Sequence, residues 1–365
     1  MEGPIKPLAA AVRWSVISLL CFFAAEGAVF RSGLYLRYLQ PDSSTGQVEN
    51  QVYWLRHLAK GLDPDVAIIG DSRVAEGFSA TAAGTATGGR LRFWNLGIPG
   101  LNQRSWYYVL RDADPDRNRF RALVLALDHY TDDDDAFGEL SERMTDLSYL
   151  VGRLRLSDCP GFAASYKDWS NREQAFAGCL FRGLTLRPDL REFLAAPRAR
   201  VRLARLARRD GLTWLNGYTG IDQTMTGIEA DFVHKVVKFP PGMSGMAMYS
   251  VDLTVMPDRL PYAGATTRYR KWALGRIAAR YAGTHTKLIF VQLPRAPLPV
   301  PDGSAPEEFV EWISRQPGVE VVPEAVFQNF ERPELFGDGL HLNATGRKAF
   351  SAALAGVIAG MLEPK

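Results

Sequence analysis

Two short stretches of this chain carry residue types that together do acyl chemistry. Gly70-Asp71-Ser72 follows the apolar run Val66-Ala67-Ile68-Ile69, and Asp338-Gly339-Leu340-His341 begins 266 positions after Ser72. A serine hydroxyl is a weak nucleophile until a base takes its proton; histidine is the usual base, and a carboxylate fixes its tautomer. Ser72, His341 and Asp338 are therefore the candidate nucleophile, base and acid. The apolar run reads as a buried strand, and Gly70 permits a sharp turn. Ser72 is then lifted to the carboxyl edge of a sheet, beside the N-terminus of a helix, where open α/β sheets place their chemistry. Backbone N–H groups at such a terminus suit a developing oxyanion. Each stretch alone has a plain alternative. Asp and Ser after Gly are ordinary turn residues, and Asp338 with His341 also reads as a capping carboxylate beside a surface imidazole.

The elements that must position these residues alternate along the chain. Strands are expected at 65–70, Leu91–Leu96, Ala122–Leu127, Lys287–Leu293 and Val319–Val322. Helices are expected at Asn102–Asp112, Thr267–Ala282 and Ala344 to about Met361, the last with Asn343 as N-cap. Strand and helix in alternation predict an α/β fold with a parallel sheet between two helical layers. Residues 132–265 break the rhythm. They open with Asp132-Asp133-Asp134-Asp135, a solvated acidic run or a metal site. They continue through the basic amphipathic stretch Arg198–Arg209, which suits an exposed face, anionic lipid heads or an acidic glycan. The loop-like Phe239–Met246 is a candidate gate. The divisions read from this pattern are 1–30 (membrane segment), 31–64 (stalk and leading helix), 65–131 (first part of the core), 132–265 (inserted lid subdomain) and 266–365 (second part of the core).

On these motifs the chain resembles the SGNH (GDSL-like) hydrolase superfamily, a flavodoxin-like α/β fold of serine esterases and acyltransferases. The resemblance covers about 65–130 and 285–360. It implies Ser72 as nucleophile, with His341 and Asp338 completing a triad. It also matches Asn95-Leu96-Gly97-Ile98-Pro99-Gly100 to the block whose glycine N–H joins the Ser72 N–H in the oxyanion hole: Gly100, with Gly97 as the fallback. The chain departs from the family after the third strand. Where a Gly-x-Asn-Asp block supplies an Asn donor, this sequence has Asp128-His129-Tyr130. That loss, together with Arg73 after the serine, is similar to membrane-anchored relatives that acylate bacterial cell-surface polymers in alginate O-acetylation and teichoic-acid D-alanylation. The resemblance therefore implies an extracytoplasmic O-acyltransferase or carbohydrate esterase acting on a polysaccharide, with a membrane acyl-donor protein as partner. Asp71, Arg73, Asn95 and Asp128 are candidates for contacting substrate or supporting the site.

Two other classes stay open on sequence: a non-catalytic scaffold binding glycan or a membrane partner, and a metal-dependent hydrolase using Asp71, Asp128, His129 and His341. No Walker-type loop or dinucleotide fingerprint calls for a cofactor. A net charge of +3 argues against a general polyanion binder, nucleic acid included. Trp14–Ala25 is free of charge, and Leu8–Phe30 is long enough to span a bilayer while including Arg13 and Glu26. Lys6 and Arg13 favour a cytoplasmic N-terminus, so a single-pass inner-membrane anchor with a periplasmic body is expected, a cleaved signal peptide being the rival. Cys159 and Cys179 read as one disulfide in an oxidising compartment or as two thiols. His57 and His234 read as surface histidines, and Trp94, Trp106 and Trp272 as core.

Overall fold

The computed structural model describes residues 5–58, 61, 63–127, 143–255, 263–299 and 308–363. A five-stranded parallel sheet is built from β1 (Val66–Gly70), β2 (Phe93–Gly97), β3 (Ala122–Leu127), β6 (Lys287–Gln292) and β7 (Val319–Val322). Between β3 and β6 the chain forms a small antiparallel pair, β4 (Glu229–Asp231) and β5 (Val236–Lys238). The order across the main sheet is β2-β1-β3-β6-β7, which puts the switch in strand direction of travel beside β1. The register aligns Gly70 with Gly97, Ile69 with Leu125, Leu127 with Gln292 and Val291 with Val322. All five carboxyl ends therefore open on one edge. β2 starts two residues later than the composition suggests, because the Arg92 carbonyl accepts from both Asp65 and Val66 N–H groups.

The strand centres are largely apolar because both faces of the sheet are covered. Ala67, Ile69, Leu123, Leu125 and Phe290 face one way, into a cluster with Val48, Val52 and Leu55 of α2 (Ser44–Arg56). Val66, Ile68, Val124, Ile289 and Val291 face the other. After β1 come the short α3 (Ser72–Gly77) and α4 (Ala80–Ala86), and after β2 comes α5 (Gln103–Ala113). Residues 31–64 do not form a free stalk: Tyr35 and Leu39 are buried, and α2 is part of the core.

The insertion after β3 is largely helical: α6 (Thr145–Leu150), α7 (Cys159–Ala164), α8 (Trp169–Leu180), α9 (Arg182–Ala195), α10 (Pro197–Gly217) and α11 (Gly245–Val255). Its Leu147, Leu150, Phe162 and Tyr166 share the apolar cluster of α2 and α5. Cys159 and Cys179 form a disulfide joining α7 to α8, and the loop it closes is of a size that stabilises by about 3 kcal/mol in the chain-entropy picture. The basic stretch Arg198–Arg209 lies within α10, and the Phe239–Met246 stretch gives way to α11 at Gly245. The acidic run 132–135 lies outside the described residues. The chain closes with α12 (Ala263–Tyr281), α13 (Glu308–Ser314) and α14 (Ala344–Leu362). α12 packs with α5 through Leu274 and Ile277, and α14 covers the opposite face through Phe350, Leu354 and Ile358. Helices thus lie on both sides of the sheet.

At the other end, α1 (Ile5–Glu26) leaves Trp14, Leu19, Leu20, Phe22 and Phe23 exposed. The helical stretch Ala10–Arg31 is apolar and long enough to serve as a membrane anchor or a signal sequence. Phe22 and Phe23 meet the ring of Phe181.

Candidate active site

Ser72 is the first residue of α3, two residues past the end of β1. The turn is tight: a Cβ on Gly70 would come within 2.3 Å of Val74 Cγ2. Asp71 is the N-cap, its carboxylate accepting from the Arg73 N–H at 2.8 Å. The six-residue helix has little propensity of its own, and its carbonyls are held from β2. The Asn95 side-chain amide donates to Val74 O (2.9 Å), Ala75 O (3.3 Å) and Phe78 O (2.8 Å). Asn95 thus brackets the helix that begins at Ser72. Arg73 is buried, and its guanidinium donates to the carbonyls of Pro294 and Arg295 just past β6. It ties α3 to the neighbouring sheet loop, and its charge bears on the His341 ring.

The C-terminal motif meets Ser72 across the sheet edge. His341 Nε2 lies 2.8 Å from Ser72 Oγ, and His341 Nδ1 lies 2.9 Å from Asp338 Oδ2. The other oxygen of Asp338 accepts from the N–H groups of Leu340 and His341, both at 2.7 Å. Burial pushes the Asp338 carboxyl upward, but the His341 hydrogen bond and charge, with the two backbone donors, leave it below the usual carboxylate range. Burial works against a charged His341 too; the hydrogen bond and charge of Asp338, and the nearby Glu76 carboxylate, outweigh it and raise the imidazole above its ordinary value. These are the relations of a general base held by an acid and aimed at a hydroxyl.

The loop bearing the base is fixed on both sides. Asn343 caps α14 by accepting from Gly346 N–H at 2.9 Å, as its type and position suggest. The insertion supplies the rest. Ser250 Oγ of α11 accepts from Gly339 N–H at 3.0 Å, and a Cβ on Gly339 would strike the Ser250 backbone. Ile221 O accepts from Ala344 N–H at 2.8 Å.

The turn after β2 sits beside the nucleophile because Ile98 N–H donates to Gly70 O at 3.1 Å. Gly100, on that turn, has φ +75°, a left-handed conformation that favours glycine. The N–H groups of Gly100 and Ser72 make no hydrogen bond among the described residues, which leaves them open to an oxyanion. Gly97 fails as the fallback donor: its N–H is taken by Asn95 Oδ1 at 2.8 Å. Its lack of a side chain serves packing, since a Cβ there would lie 2.3 Å from the Ala75 nitrogen. Asp128 and His129 lie outside the described residues, so the metal reading that needs them has only Asp71 and His341 in view. Asp71 accepts from the Arg73 N–H, and His341 lies between Ser72 Oγ and Asp338.

One residue at this turn escaped sequence reasoning. The Tyr149 hydroxyl of α6 donates to Pro99 O at 2.5 Å, and a Cβ on Gly100 would come within 2.5 Å of it. Burial, and the negative charges of Asp146 and Asp71, raise the Tyr149 pKa, so it stays a neutral donor. α6 is clamped to α5 by the fully buried Arg104–Asp146 ion pair, with Ser105 Oγ donating to Asp146 at 3.0 Å. The only sequence signal for Tyr149 is an aromatic among insertion residues, which distinguishes it from no other. Of the remaining expectations, His57 and His234 are exposed, Trp94 and Trp106 are buried, and Trp272 is half-buried.

In comparisons with family models and with curated proteins, nothing matches the chain.

Proposed function

We propose that this protein is a serine-dependent acyl-transfer enzyme, anchored through α1 and acting on ester-linked acyl groups of an extracytoplasmic polysaccharide. The single observation that carries the reading is the hydrogen-bonded row Ser72–His341–Asp338, assembled from segments 266 positions apart. In the proposed reaction His341 takes the Ser72 proton as Oγ attacks the acyl carbonyl. The N–H groups of Ser72 and Gly100 receive the oxyanion, and His341 returns the proton to the leaving oxygen. A second hydroxyl, from a sugar or from water, then repeats the sequence on the acyl-serine and releases the acyl group. The motifs resemble those of the SGNH superfamily, and the strand order, 2-1-3-4-5 when only the main sheet is counted, agrees with the flavodoxin-like arrangement that this resemblance implies. The insertion is read as the lid of that site. The apolar α1 and the Cys159–Cys179 disulfide favour an exported, membrane-tethered body, and a membrane acyl-donor protein is the proposed source of the acyl group.

The test is a fluorophosphonate probe with intact-mass readout on the full chain in detergent. Wild type should gain one adduct on Ser72, and Ser72→Ala should gain none. Equal labelling of both proteins, or of neither, would remove Ser72 as the nucleophile.

A further inference from the structure

A cleft of about 540 Å³ begins where the site ends. Ala75 and Glu76, one turn along from Ser72, form its near wall with Gly97-Ile98-Pro99 of the oxyanion turn. Helices α2 and α10 form the far walls. We infer that this cleft holds the acceptor chain as an uncharged or amino-bearing glycan and disfavours acidic polysaccharides. The inference rests on the acyl-transfer reading for its chemistry but on separate residues for its evidence.

Three features point to sugar. First, Gln51 is 4% exposed, yet among the described residues its Oε1 has no hydrogen-bond partner, and neither has the Trp54 Nε1–H one helical turn along. Both residues line the cleft. A buried acceptor and a buried donor left unpaired are costly unless something completes them, and adjacent sugar hydroxyls both donate and accept. Second, the Trp214 ring on α10 is 71% exposed on the cleft, with the Tyr218 ring 6.3 Å away. Such rings offer an apolar face to the C–H face of a sugar and keep a polar edge wet. Trp54 comes close beneath α10 only because residue 211 is glycine, where a Cβ would fall 2.2 Å from the ring. Third, among the described residues no lysine or arginine lines the cleft, whereas Asp42, Glu76 and Asp210 do. Asp210 is neutralised by Arg209, but Asp42 and Glu76 have no ion pair among the described residues. A uronate or phosphate chain entering here meets like charge from Asp42 and Glu76 on the lining itself. The arginines Arg198, Arg202, Arg205 and Arg209 line an adjoining groove on α10 that shares Leu206 with the cleft.

The experiment titrates hexamers of N-acetylglucosamine, glucosamine and galacturonic acid into the full chain in detergent at fixed ionic strength. The chain carries Ser72→Ala so that no turnover occurs; binding is followed by tryptophan fluorescence and calorimetry. The neutral or the amino hexamer should bind, with the uronate at least ~10-fold weaker, and Trp214→Ala should weaken binding at least ~10-fold. Because Trp214 is exposed, its loss should leave the unfolding midpoint in place. Uronate binding as tight as the others, binding unchanged by Trp214→Ala, or no binding by any hexamer would each overturn the inference. The two readings fail separately. Probe labelling of wild-type Ser72 without glycan binding removes the cleft alone; glycan binding without labelling removes the nucleophile and leaves a glycan-binding groove.

Discussion

The two sides of the triad are held by different means. Ser72 is positioned chiefly from nearby in sequence: Gly70 makes the turn, Asp71 caps the helix, and Asn95 grips the carbonyls of Val74, Ala75 and the C-cap Phe78, with Arg73 adding one long-range tie to the loop past β6. His341 is held locally by Asp338 but enclosed by residues of the insertion, with Ser250 on Gly339 and Ile221 on Ala344. The oxyanion turn follows the second pattern, since Tyr149 reaches it from α6. Local turns and caps can place a nucleophile; orienting what surrounds it takes a longer reach. The comparison makes a specific claim: changes at the local contacts should strike chemistry, and changes at the insertion contacts should strike stability or alignment.

The largest effect should come from the Asp338–His341 contact. Asp338→Asn should lower turnover of a generic acyl ester by about 10⁴-fold, because the imidazole loses its correct tautomer and the charge that stabilises its protonated form. The pH profile carries the sign. His341 must be neutral to accept the Ser72 proton, and its pKa is raised. The wild-type rate should therefore climb with pH through a value above the ordinary imidazole range of about 6.5 and level off beyond it. With Asn at 338 only burial, Glu76 and Arg73 act on the ring; burial and Arg73 both lower it, so the acid limb should move to lower pH. An acid limb that stays in place would show that His341 is not the group titrating.

Next in size is the clamp under the insertion. Asp146→Ala removes the carboxylate that pairs with the fully buried Arg104, and breaking a buried pair in this way costs about 3–5 kcal/mol. Denaturant unfolding should show that drop, whereas Ser72→Ala should unfold close to wild type. If Asp146→Ala were neutral in stability, the distinction between a chemical side and an architectural side would break.

The same division explains what was legible in the sequence. The β1 run, its glycine, the Asp338–His341 pair and the Asn343 cap are short-range patterns, and each appears where its spacing places it. The parallel sheet between helical layers followed from strand and helix in alternation. What stayed hidden rests on side chains meeting across long separations. On sequence alone Arg73 stays open between touching substrate and supporting the site; its guanidinium reaches the carbonyls of Pro294 and Arg295 past β6, which the sequence does not show. Gly97 looked like a donor, yet its N–H is committed two residues back to Asn95. Trp214 gave no periodic signal to separate it from a core tryptophan, and only the packing of α10 shows it exposed. Composition cannot say which member of a residue type a fold will leave facing a cleft.

The smallest effect is the one that tests the reach of the insertion into the chemistry. Tyr149→Phe removes one hydroxyl and keeps the ring, so the hydrogen bond to Pro99 O is lost while the packing of α6 stays. Stability should fall by no more than about 1 kcal/mol, the net worth of one such bond. If the hydroxyl fixes the turn that presents Gly100, kcat should fall by about 10-fold with KM little changed, because misalignment of an oxyanion donor is felt in the transition state rather than in substrate binding. Fluorophosphonate labelling of Ser72 should slow but go to completion, since the nucleophile and its base are untouched. A variant with wild-type kcat would confine the insertion to architecture and leave the oxyanion turn to be set by β1 and β2 alone, through Ile98 on Gly70.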